Sequence, residues 1–394
     1  MSDDPSRLWS PAEDAPVRVR VPAKVNLALC VGPLGADGYH PLGTVFHALS
    51  LHDEVLAAPG EPGAVTLQVS GETSADVPVD ESNLAVRAAR LLAAEFGSPE
   101  LGVRLQLKKQ IPVAGGMAGG SADAAGALLA CSVLWDLDTN PDDLQGLAAQ
   151  LGADVPFGLV GGNAIGRGRG DQLVPLLSRG TCHWVLAFAH GGLSTPQVFG
   201  RFDEMLEQGR ASSGTEVPAE VAEALAKADP FALGKALRND LEAPALDLRP
   251  ELAETLAAGR AAGALGAVVS GSGPTCAFLA ESESRAMDLA NELGRLEQVS
   301  ATRRATGPAQ GARLLRAPSR GAAARSRTRS TSWWGPGAAS APTYRWSRCT
   351  SGRASCAWRC TWTRPDAPPT PATSWRAGSS TCWPRCARTA SPTR

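Results

Sequence analysis

The sequence predicts an α+β fold, and the grouping of its strands is the main reason. Alternating apolar residues, typical of strands, occur at 17–30, 65–69 and 103–107, and two further strands flank a glycine-rich turn at 267–269 and 276–279. Because the strands come in groups and do not alternate strictly with helices, they favour α+β over a doubly wound parallel sheet.

Helices are predicted where apolar residues recur at helical spacing. The segments with this spacing are 83–96, 121–134, 142–150, 231–237 and 251–262, and one short apolar strand is predicted at 184–189. The second helix begins at Ser121, directly after a glycine-rich loop. We expect an N-terminal domain over 1–165, a C-terminal domain over 166–315 and a tail over 316–394.

The tail differs in composition from the rest of the chain. Residues 301–394 contain seventeen Arg, no Lys and one acidic residue, so they carry +16, whereas residues 1–300 carry −17 of the net charge of −1. No Leu, Ile or Val follows Leu315, so no element there can bury a periodic aliphatic face. We predict that 316–394 form a disordered, unstructured Arg-, Trp- and Cys-rich basic tail.

The composition of the tail also bears on its origin. Arg without Lys, mixed with Trp, Cys, Pro and Ser, is what GC-rich DNA yields when it is read out of frame. We therefore hypothesise a frameshifted or mis-called C-terminus. A natural basic arm that binds nucleic acid is the alternative.

The front of the chain has the features of an acidic cytoplasmic protein. Its charge leaves no broad basic face, so no nucleic-acid partner is expected there. No leading signal peptide and no run of eighteen apolar residues stand out, so no membrane partner is expected either. Four scattered cysteines lack CxxC or metal-ligand spacing and are expected to act as small buried hydrophobes; they are Cys30, Cys131, Cys182 and Cys276.

The strongest physical signal is the glycine-rich segment 111–125. Its four glycines let the backbone reach positive φ and bring N–H groups close to a ligand. Ser121 then opens a helix whose unpaired N–H groups and dipole favour an anion, so a triphosphate is the natural ligand. The segment is neither a Walker A loop nor a dinucleotide fingerprint, and a tight loop needed only for packing would also use glycines. The predicted cofactor-binding residues are Pro112, Val113, Ala114, Gly115, Gly116, Met117, Ala118, Gly119, Gly120 and Ser121.

Three segments in order along the chain resemble the three motifs of the GHMP kinases. They are 22–27 (Pro-Ala-Lys-Val-Asn-Leu), the loop 112–125, and 269–275 (Val-Ser-Gly-Ser-Gly-Pro-Thr). The resemblance covers about residues 17–300. It implies an ATP-dependent small-molecule kinase with a ribosomal-S5-like N-terminal domain, a ferredoxin-like C-terminal domain, and substrate, ATP and Mg²⁺ in the cleft between them.

Three further stretches resemble one branch of that family. They are 37–42 (Asp-Gly-Tyr-His-Pro-Leu), 151–157 (Leu-Gly-Ala-Asp-Val-Pro-Phe) and 195–199 (Thr-Pro-Gln-Val-Phe). This branch phosphorylates the 2-hydroxyl of a cytidine diphosphate-linked methylerythritol in the non-mevalonate isoprenoid pathway. The resemblance therefore implies that small-molecule substrate; it implies no oligomeric state and no metal ligands.

The resemblance also implies roles for individual residues. Asp154 matches the catalytic aspartate, which as a carboxylate could accept the proton of the substrate hydroxyl. Lys24 matches the lysine beside it, whose charge favours the negative charge that builds on the phosphoryl oxygens. Asn26 matches a residue that can donate to a substrate hydroxyl.

The remaining matched residues concern the substrate. Tyr39 and Phe199 fit base stacking, because flat aromatic faces hold a cytosine ring in water. His40 could contact the polar edge of the cytosine. The other predicted substrate-binding residues are Thr195, Pro196, Gly271 and Gly273.

The chain departs from the family pattern in its glycine-rich loop. Ala114 and Ala118 replace common glycines, Met117 replaces a leucine, and Ala122 replaces a frequent serine whose hydroxyl is thereby lost. The segment 238–241 (Arg-Asn-Asp-Leu) also resembles a family segment, but the sequence predicts no role for it.

Three other functions compete with this interpretation. Another GHMP kinase, of homoserine or mevalonate type, would share the glycine-rich loop and the third motif but has no need of a base-stacking pair. A non-catalytic binding protein on the same fold would not need both Lys24 and Asp154. A nucleic-acid-binding protein would depend wholly on the basic tail.

Overall fold

The computed structural model describes residues 16–315, apart from Thr73, Ala75, Gly97 and Pro99. The chain divides into two units, 1–327 and 328–394, and all described residues belong to the first. The predicted disordered tail and its proposed frameshift lie outside the described residues.

The described residues form an α+β fold, as predicted. The strands are β1 (Val17–Val31), β2 (Leu42–Pro59), β3 (Val65–Gly71), β4 (Val103–Lys109), β5 (Asn163–Arg167), β6 (Gln172–Pro175), β7 (Cys182–Ala189), β8 (Arg238–Asn239), β9 (Gly266–Val269), β10 (Cys276–Ala280), β11 (Val299–Gly307) and β12 (Arg313–Leu315). The helices are α1 (Leu84–Phe96), α2 (Gly119–Leu134), α3 (Pro141–Leu151), α4 (Val155–Val160), α5 (Thr195–Glu207), α6 (Ala219–Lys227), α7 (Pro230–Ala236), α8 (Glu242–Leu248), α9 (Glu251–Ala261) and α10 (Glu283–Leu293).

The strands form two sheets. In the first, β12, β1, β2, β4 and β3 lie side by side, β5 pairs with β2 and with β6, and β8 pairs with β1. The second sheet has the order β11–β7–β10–β9 and is antiparallel throughout. The predicted strands around residue 270 are confirmed as the hairpin of β9 and β10.

Helix α2 packs against the first sheet and is buried along most of its length. It packs on β1 and β2 and against α1, α3 and α4. Small residues allow this close approach: a Cβ on Gly126 would lie 2.5 Å from Cγ2 of Val55 and 2.8 Å from Cγ2 of Val21. The Ala- and Gly-rich sequence of α2 thus fixes the distance between helix and sheet.

The second sheet has its own apolar core. Phe278 of β10 and Val185 of β7 are fully buried there, together with Phe202 of α5 and Leu256 of α9. A Cβ on Gly259 would lie 2.1 Å from the Phe278 ring, so this face of α9 accepts no side chain at that position. This core supports the hairpin of β9 and β10, which enters the site described below.

Several elements differ from the sequence prediction. Strand β2 was not predicted, because it is buried along both faces and so lacks the alternation of a half-buried strand. Helix α2 begins at Gly119, two residues earlier than predicted, because Ala118 adopts the N-cap position. Strand β5 spans residue 165, and the chain passes from the first sheet to the second between β6 and β7. The domain boundaries stay a prediction.

The described cysteines are free, and three of them are buried as expected. Cys30, Cys131 and Cys276 have almost no exposed surface, while Cys182 is half-buried. Burial raises the pKa of Cys182 to about 11 and that of Cys276 to about 12, so both are thiols near neutral pH. None of the helices in the described part of the chain combines the length and apolarity that a membrane crossing requires.

A buried histidine joins the two sheets. His47 of β2 lies with Nδ1 2.6 Å from Oδ1 of Asn163, and its Nε2 accepts a hydrogen bond from Nε1 of Trp184 at 3.1 Å. The ring is therefore neutral, with the proton on Nδ1. Burial lowers the pKa of His47 to about 4, although the hydrogen bond to Asn163 acts in the opposite direction.

This histidine should make folding pH-dependent. Because the folded pKa is about 4 and the ordinary value is 6.5, the unfolded chain binds the proton first as pH falls. The contribution of neutral His47 to the free energy of unfolding is fully present above pH 6.5. As pH falls from 6.5 toward 4 this contribution is lost, by roughly 3 kcal/mol in total.

His47→Gln should flatten that dependence, since the amide can accept from Trp184 and donate to Asn163 but does not titrate. Urea unfolding followed by circular dichroism at several pH values between 4 and 7.5 measures the slope. The exposed His190→Gln serves as control and should keep the wild-type slope. If the unfolding free energy of His47→Gln changes with pH as in the wild type, other titratable groups determine that dependence.

Candidate active site

A cavity of about 410 Å³ opens where two glycine-rich segments meet. One is the phosphate loop (residues 110–118, between β4 and α2), and the other is the glycine turn (residues 270–275, between β9 and β10). Most of the predicted site residues line this cavity: Lys24, Asn26, Pro112, Val113, Ala114, Gly115, Gly116, Ala118, Gly119, Gly120, Ser121, Asp154, Thr195, Phe199 and Gly271. The predicted residues that do not line it are Tyr39, His40, Met117, Pro196 and Gly273.

The phosphate loop turns at every second residue. Ala114, Gly116 and Ala118 have φ of 51°, 72° and 59°, in the left-handed region. Of the four glycines that were expected to permit positive φ, only Gly116 adopts it. The other three have different reasons for their lack of a side chain.

Close contacts explain two of the other glycines. A Cβ on Gly115 would lie 3.0 Å from Cβ of Pro112 and 3.1 Å from Oγ1 of Thr275. At the start of α2, a Cβ on Gly119 would lie 3.3 Å from Nζ of Lys109. These two glycines keep the backbone close to its neighbours, whereas a Cβ on Gly120 would meet only Cδ1 of Leu84 at an ordinary 3.8 Å.

The start of α2 offers unpaired backbone donors to the cavity. Ala118 occupies the N-cap position without a side-chain cap, so no side chain there takes the first N–H groups of the helix. Gly119, Gly120 and Ser121 all line the cavity. With the helix dipole, these N–H groups favour an anion at this end of α2.

Lys24 and Asp154 form an ion pair in the cavity wall. Nζ of Lys24 lies 3.5 Å from Oδ2 of Asp154 and donates a 2.8 Å hydrogen bond to Oδ1 of Asn26. The lysine side chain is 8% exposed and the aspartate 33%, so the carboxylate is the more open of the two groups that line the cavity. Asp154 precedes α4 but makes no capping hydrogen bond, which leaves its oxygens available.

Asn26 is held by a short chain of hydrogen bonds along β1 and β2. Its Nδ2 donates to Oγ1 of Thr44 at 2.8 Å, and that hydroxyl donates to the carbonyl oxygen of Ala28 at 2.7 Å. The amide oxygen therefore faces Lys24. Asn26 thus positions the ammonium group of Lys24. The second N–H of its Nδ2 has no acceptor among the described residues.

The predicted base-stacking residues are arranged differently from a simple pair. His40 packs on Phe199, with ring centroids 5.0 Å apart and planes 31° apart. Nδ1 of His40 donates to the carbonyl oxygen of Gly32 at 2.9 Å, and its Nε2 lies 3.4 Å from Oδ2 of Asp203.

Tyr39 points away from that contact. Its ring is 55% exposed and lies under the guanidinium of Arg169, 4.9 Å from the ring centroid. The structure brings His40 and Phe199 together, and it pairs Tyr39 with Arg169.

The glycine turn contacts three parts of the site. Oγ of Ser270 donates to the carbonyl oxygen of Gly116 at 3.0 Å. Oγ of Ser272 lies 2.8 Å from Oγ1 of Thr195 at the start of α5. A Cβ on Gly271 would lie 3.4 Å from Nζ of Lys24, so the turn backbone passes beside the catalytic candidate.

A buried charge cluster lies beneath the phosphate loop. Nζ of Lys109 is 2.5 Å from Oδ2 of Asp53 and 2.6 Å from Oδ2 of Asp123, and all three side chains are at most 3% exposed. Oδ1 of Asp53 accepts the N–H groups of Gln110 and Ile111, where the loop begins. Asp123 lies on α2, where the loop has ended, so the cluster joins both ends of the loop.

The protonation of this cluster follows from burial and charge. Burial raises the pKa of Asp123, and the neighbouring charge of Lys109 only partly opposes this. Burial would lower the pKa of Lys109, but the attraction of Asp123 and Asp53 outweighs it and raises that pKa. Lys109 therefore stays an ammonium, held between the two carboxyl groups.

Several residues of this site were not predicted from the sequence. Lys109 was visible as the charge directly before the loop, and Asp123 as the acid two residues after Ser121. Asp53 is 56 residues from Lys109 in sequence, and no local pattern connects them. Asn239, from the segment to which no role was assigned, donates to two carbonyl groups of the hairpin.

Two family models match the chain. Residues 83–162 match the GHMP kinases N terminal domain, and residues 221–297 match the GHMP kinases C terminal. The phosphate loop and Asp154 fall within the first match, and the glycine turn falls within the second.

Individual relatives give a narrower result. A 4-diphosphocytidyl-2-C-methyl-D-erythritol kinase of Cutibacterium acnes is 53% identical over 306 residues, which is 77% of this chain and 98% of the relative. One of Thermobifida fusca is 54% identical over 305 residues, again 98% of its length.

Solved structures agree with these relatives. A crystal structure of 4-(cytidine 5'-diphospho)-2C-methyl-D-erythritol kinase is 36% identical, with a TM-score of 0.61 over 73% of this chain and 98% of that one. A homoserine kinase from Cytophaga hutchinsonii has the same TM-score at 18% identity, with 78% of this chain and 100% of that one covered, and shows the fold alone. The chain belongs to the 4-diphosphocytidyl-2-C-methyl-D-erythritol kinases of the GHMP kinase family and is an ATP-dependent small-molecule kinase.

Proposed function

We propose that the protein transfers the γ-phosphoryl group of ATP to the 2-hydroxyl of 4-diphosphocytidyl-2-C-methyl-D-erythritol. The products are the 2-phosphate and ADP, and the reaction belongs to non-mevalonate isoprenoid precursor biosynthesis. The observation that carries this proposal is the Lys24–Asp154 pair, which lines the same cavity as the unpaired N–H groups of α2. The names of the relatives support the choice of substrate.

In the proposed reaction the two ends of the cavity have different tasks. The N–H groups at the start of α2 and in the phosphate loop bind the phosphates. Asp154 accepts the hydroxyl proton as the new P–O bond forms and the bond to the leaving ADP oxygen breaks. Lys24, 3.5 Å from Asp154, keeps the carboxylate in place and stabilises negative charge on the transferring group.

Mg²⁺ is the expected companion of ATP, and the residues of the site fit it. The described residues contain no group of three or more His, Cys, Asp or Glu side chains that could hold a metal. Mg²⁺ that accompanies a nucleotide is held mainly by phosphate oxygens, with one or two carboxylates from the protein. Oδ1 of Asp123 is buried and has no hydrogen-bond partner among the described residues. Asp123 and Ser121 line the cavity and would hold the cation, which would supply charge neutralisation at the phosphates. Asp123 would then bind as a carboxylate, because the cation opposes the effect of burial on its pKa.

His40, Phe199 and Tyr39 are proposed to bind the cytidine end of the substrate. Phe199 lines the cavity, and His40 packs against it. Tyr39 precedes His40 in the chain, and its exposed ring offers a second aromatic face. A cytoplasmic location, where ATP is available, remains a prediction.

Substrate specificity gives the first test. The full-length protein with ATP and Mg²⁺ should release ADP with 4-diphosphocytidyl-2-C-methyl-D-erythritol and not with homoserine or mevalonate. A coupled ADP-release assay with the three compounds side by side measures this. Equal turnover with homoserine would contradict the proposed substrate and leave the family assignment intact.

The Lys24–Asp154 pair gives the second test. Asp154→Asn should keep substrate affinity and lower kcat by roughly 10²–10⁴-fold, because the amide cannot accept the proton. Lys24→Met should also lower kcat, through lost stabilisation of transition-state charge. The exposed Asp288→Asn on α10 should leave kcat unchanged. Near-normal kcat in Asp154→Asn would mean that positioning alone carries the reaction.

The aromatic residues give the third test. Tyr39→Ala and Phe199→Ala should each raise KM for the cytidine substrate by the equivalent of about 1–3 kcal/mol of lost stacking, with little change in KM for ATP. Phe231→Ala, which removes an exposed ring from α7, is the matched control. An equal rise in both KM values would show that the rings are structural.

A further inference from the structure

The segment 238–241, between α7 and α8, is anchored to β1. As β8 it pairs in parallel with Ala28 and Leu29. The N–H of Asp240 donates to the carbonyl oxygen of Leu29 at 2.9 Å, and Oδ2 of Asp240 accepts the N–H of Val31 at 3.0 Å. The backbone on both sides of Asn239 is therefore fixed to the strand that carries Lys24 and Asn26.

The side chain of Asn239 has several partners, and they lie in the second sheet and in its own segment. Nδ2 donates to the carbonyl oxygens of Val269 and Gly271, each at 2.7 Å. Oδ1 accepts the N–H of Leu241 at 2.9 Å, which orients the amide. One amide group thus holds the two carbonyl groups that flank Ser270, the first residue of the glycine turn.

The held turn is the part of the hairpin that meets the site. Gly271 has φ of 56°, and a Cβ there would lie 2.9 Å from the carbonyl oxygen of Gly116 and 3.6 Å from Oδ1 of Asn26. Ser270 donates to Gly116 from the same place. A small shift of the turn therefore moves atoms against both Lys24 and the phosphate loop.

We infer that Asn239 is a positioning residue for phosphoryl transfer. It does not line the cavity, and it acts through the glycine turn, which it holds beside Lys24, Asn26 and the phosphate loop. The position requires two donors and one acceptor in one short planar group, which among side chains asparagine supplies. The inference rests on the proposed function for its effect on turnover, but its structural part is independent of it.

Asn239→Asp provides a test with a distinctive pH signature. The ionised carboxylate has no donor and faces two carbonyl oxygens, so kcat should fall roughly 10- to 100-fold, as for other small displacements of a reacting group. At lower pH the carboxyl is protonated and can donate one hydrogen bond. The ratio of variant to wild-type kcat should therefore rise as pH falls, whereas Asn239→Ala should lower kcat by a ratio that does not change with pH. Asn291→Asp, an exposed change on α10, should keep the wild-type kcat.

Hydrogen exchange tests the same inference without turnover. The N–H of Gly273 donates to Ser270, and the N–H of Ser270 donates to Thr275, both at 2.8 Å. In Asn239→Ala these amides should exchange faster, while those of α10 should not change. Wild-type exchange and wild-type kcat in both Asn239 variants would overturn the inference, as would a loss of kcat that only follows the fraction of folded protein. If the wild-type protein turns over none of the three compounds, the proposed function fails, and the exchange experiment still decides the role of Asn239.

Discussion

The backbone of the phosphate loop passes against the backbone of the glycine turn with no space for a side chain between them. A Cβ on Gly116 would lie 2.0 Å from the carbonyl oxygen of Ser270. This contact joins a loop of the first sheet to a hairpin of the second, and the Ser270 hydroxyl adds a hydrogen bond to Gly116. Because Lys24 lies beside the same turn, the contact sets the distance between the N–H groups of the phosphate loop and the ion pair. The geometry of the cavity thus depends on the absence of a side chain at Gly116.

The buried charge cluster serves the same geometry from below. Taking Lys109 and two carboxyl groups out of water is costly, and their mutual attraction only offsets that cost when the geometry is good. Here Asp53 also takes the N–H groups of Gln110 and Ile111, which would otherwise be difficult to satisfy at the entry to the loop. The cluster therefore fixes the loop at its base, and the glycine contact fixes it at its tip. Within the cluster, Asp123 is the member that keeps a buried oxygen without a hydrogen-bond partner among the described residues, and it lies two residues after Ser121.

Features that depend on a few neighbouring residues could be predicted from the sequence. Features that depend on contacts between distant residues could not. The phosphate loop, the hairpin around residue 270 and five of the ten described helices follow from periodicity and glycine spacing over a few residues. The pairing of Lys24 with Asp154, 130 positions later, came from a resemblance to a family and not from any pattern in the residues. Strand β2 was missed because both its faces are buried. The contact of His40 with Phe199 was missed because chain spacing does not specify which of two neighbouring rings turns inward.

The two alanines in the phosphate loop illustrate how the fold tolerates a local conflict. Ala114 and Ala118 have positive φ, a conformation that costs an L-residue with a Cβ roughly 1–2 kcal/mol each relative to the right-handed region. A glycine would avoid that cost, but it would also give the free loop more conformations to lose when a ligand orders it. Ala118 occupies the N-cap position of α2, and its left-handed conformation turns the chain from the loop into the helix. The methyl groups therefore restrict the loop near the conformation in which its N–H groups line the cavity, so that less order remains to be imposed when the phosphates bind.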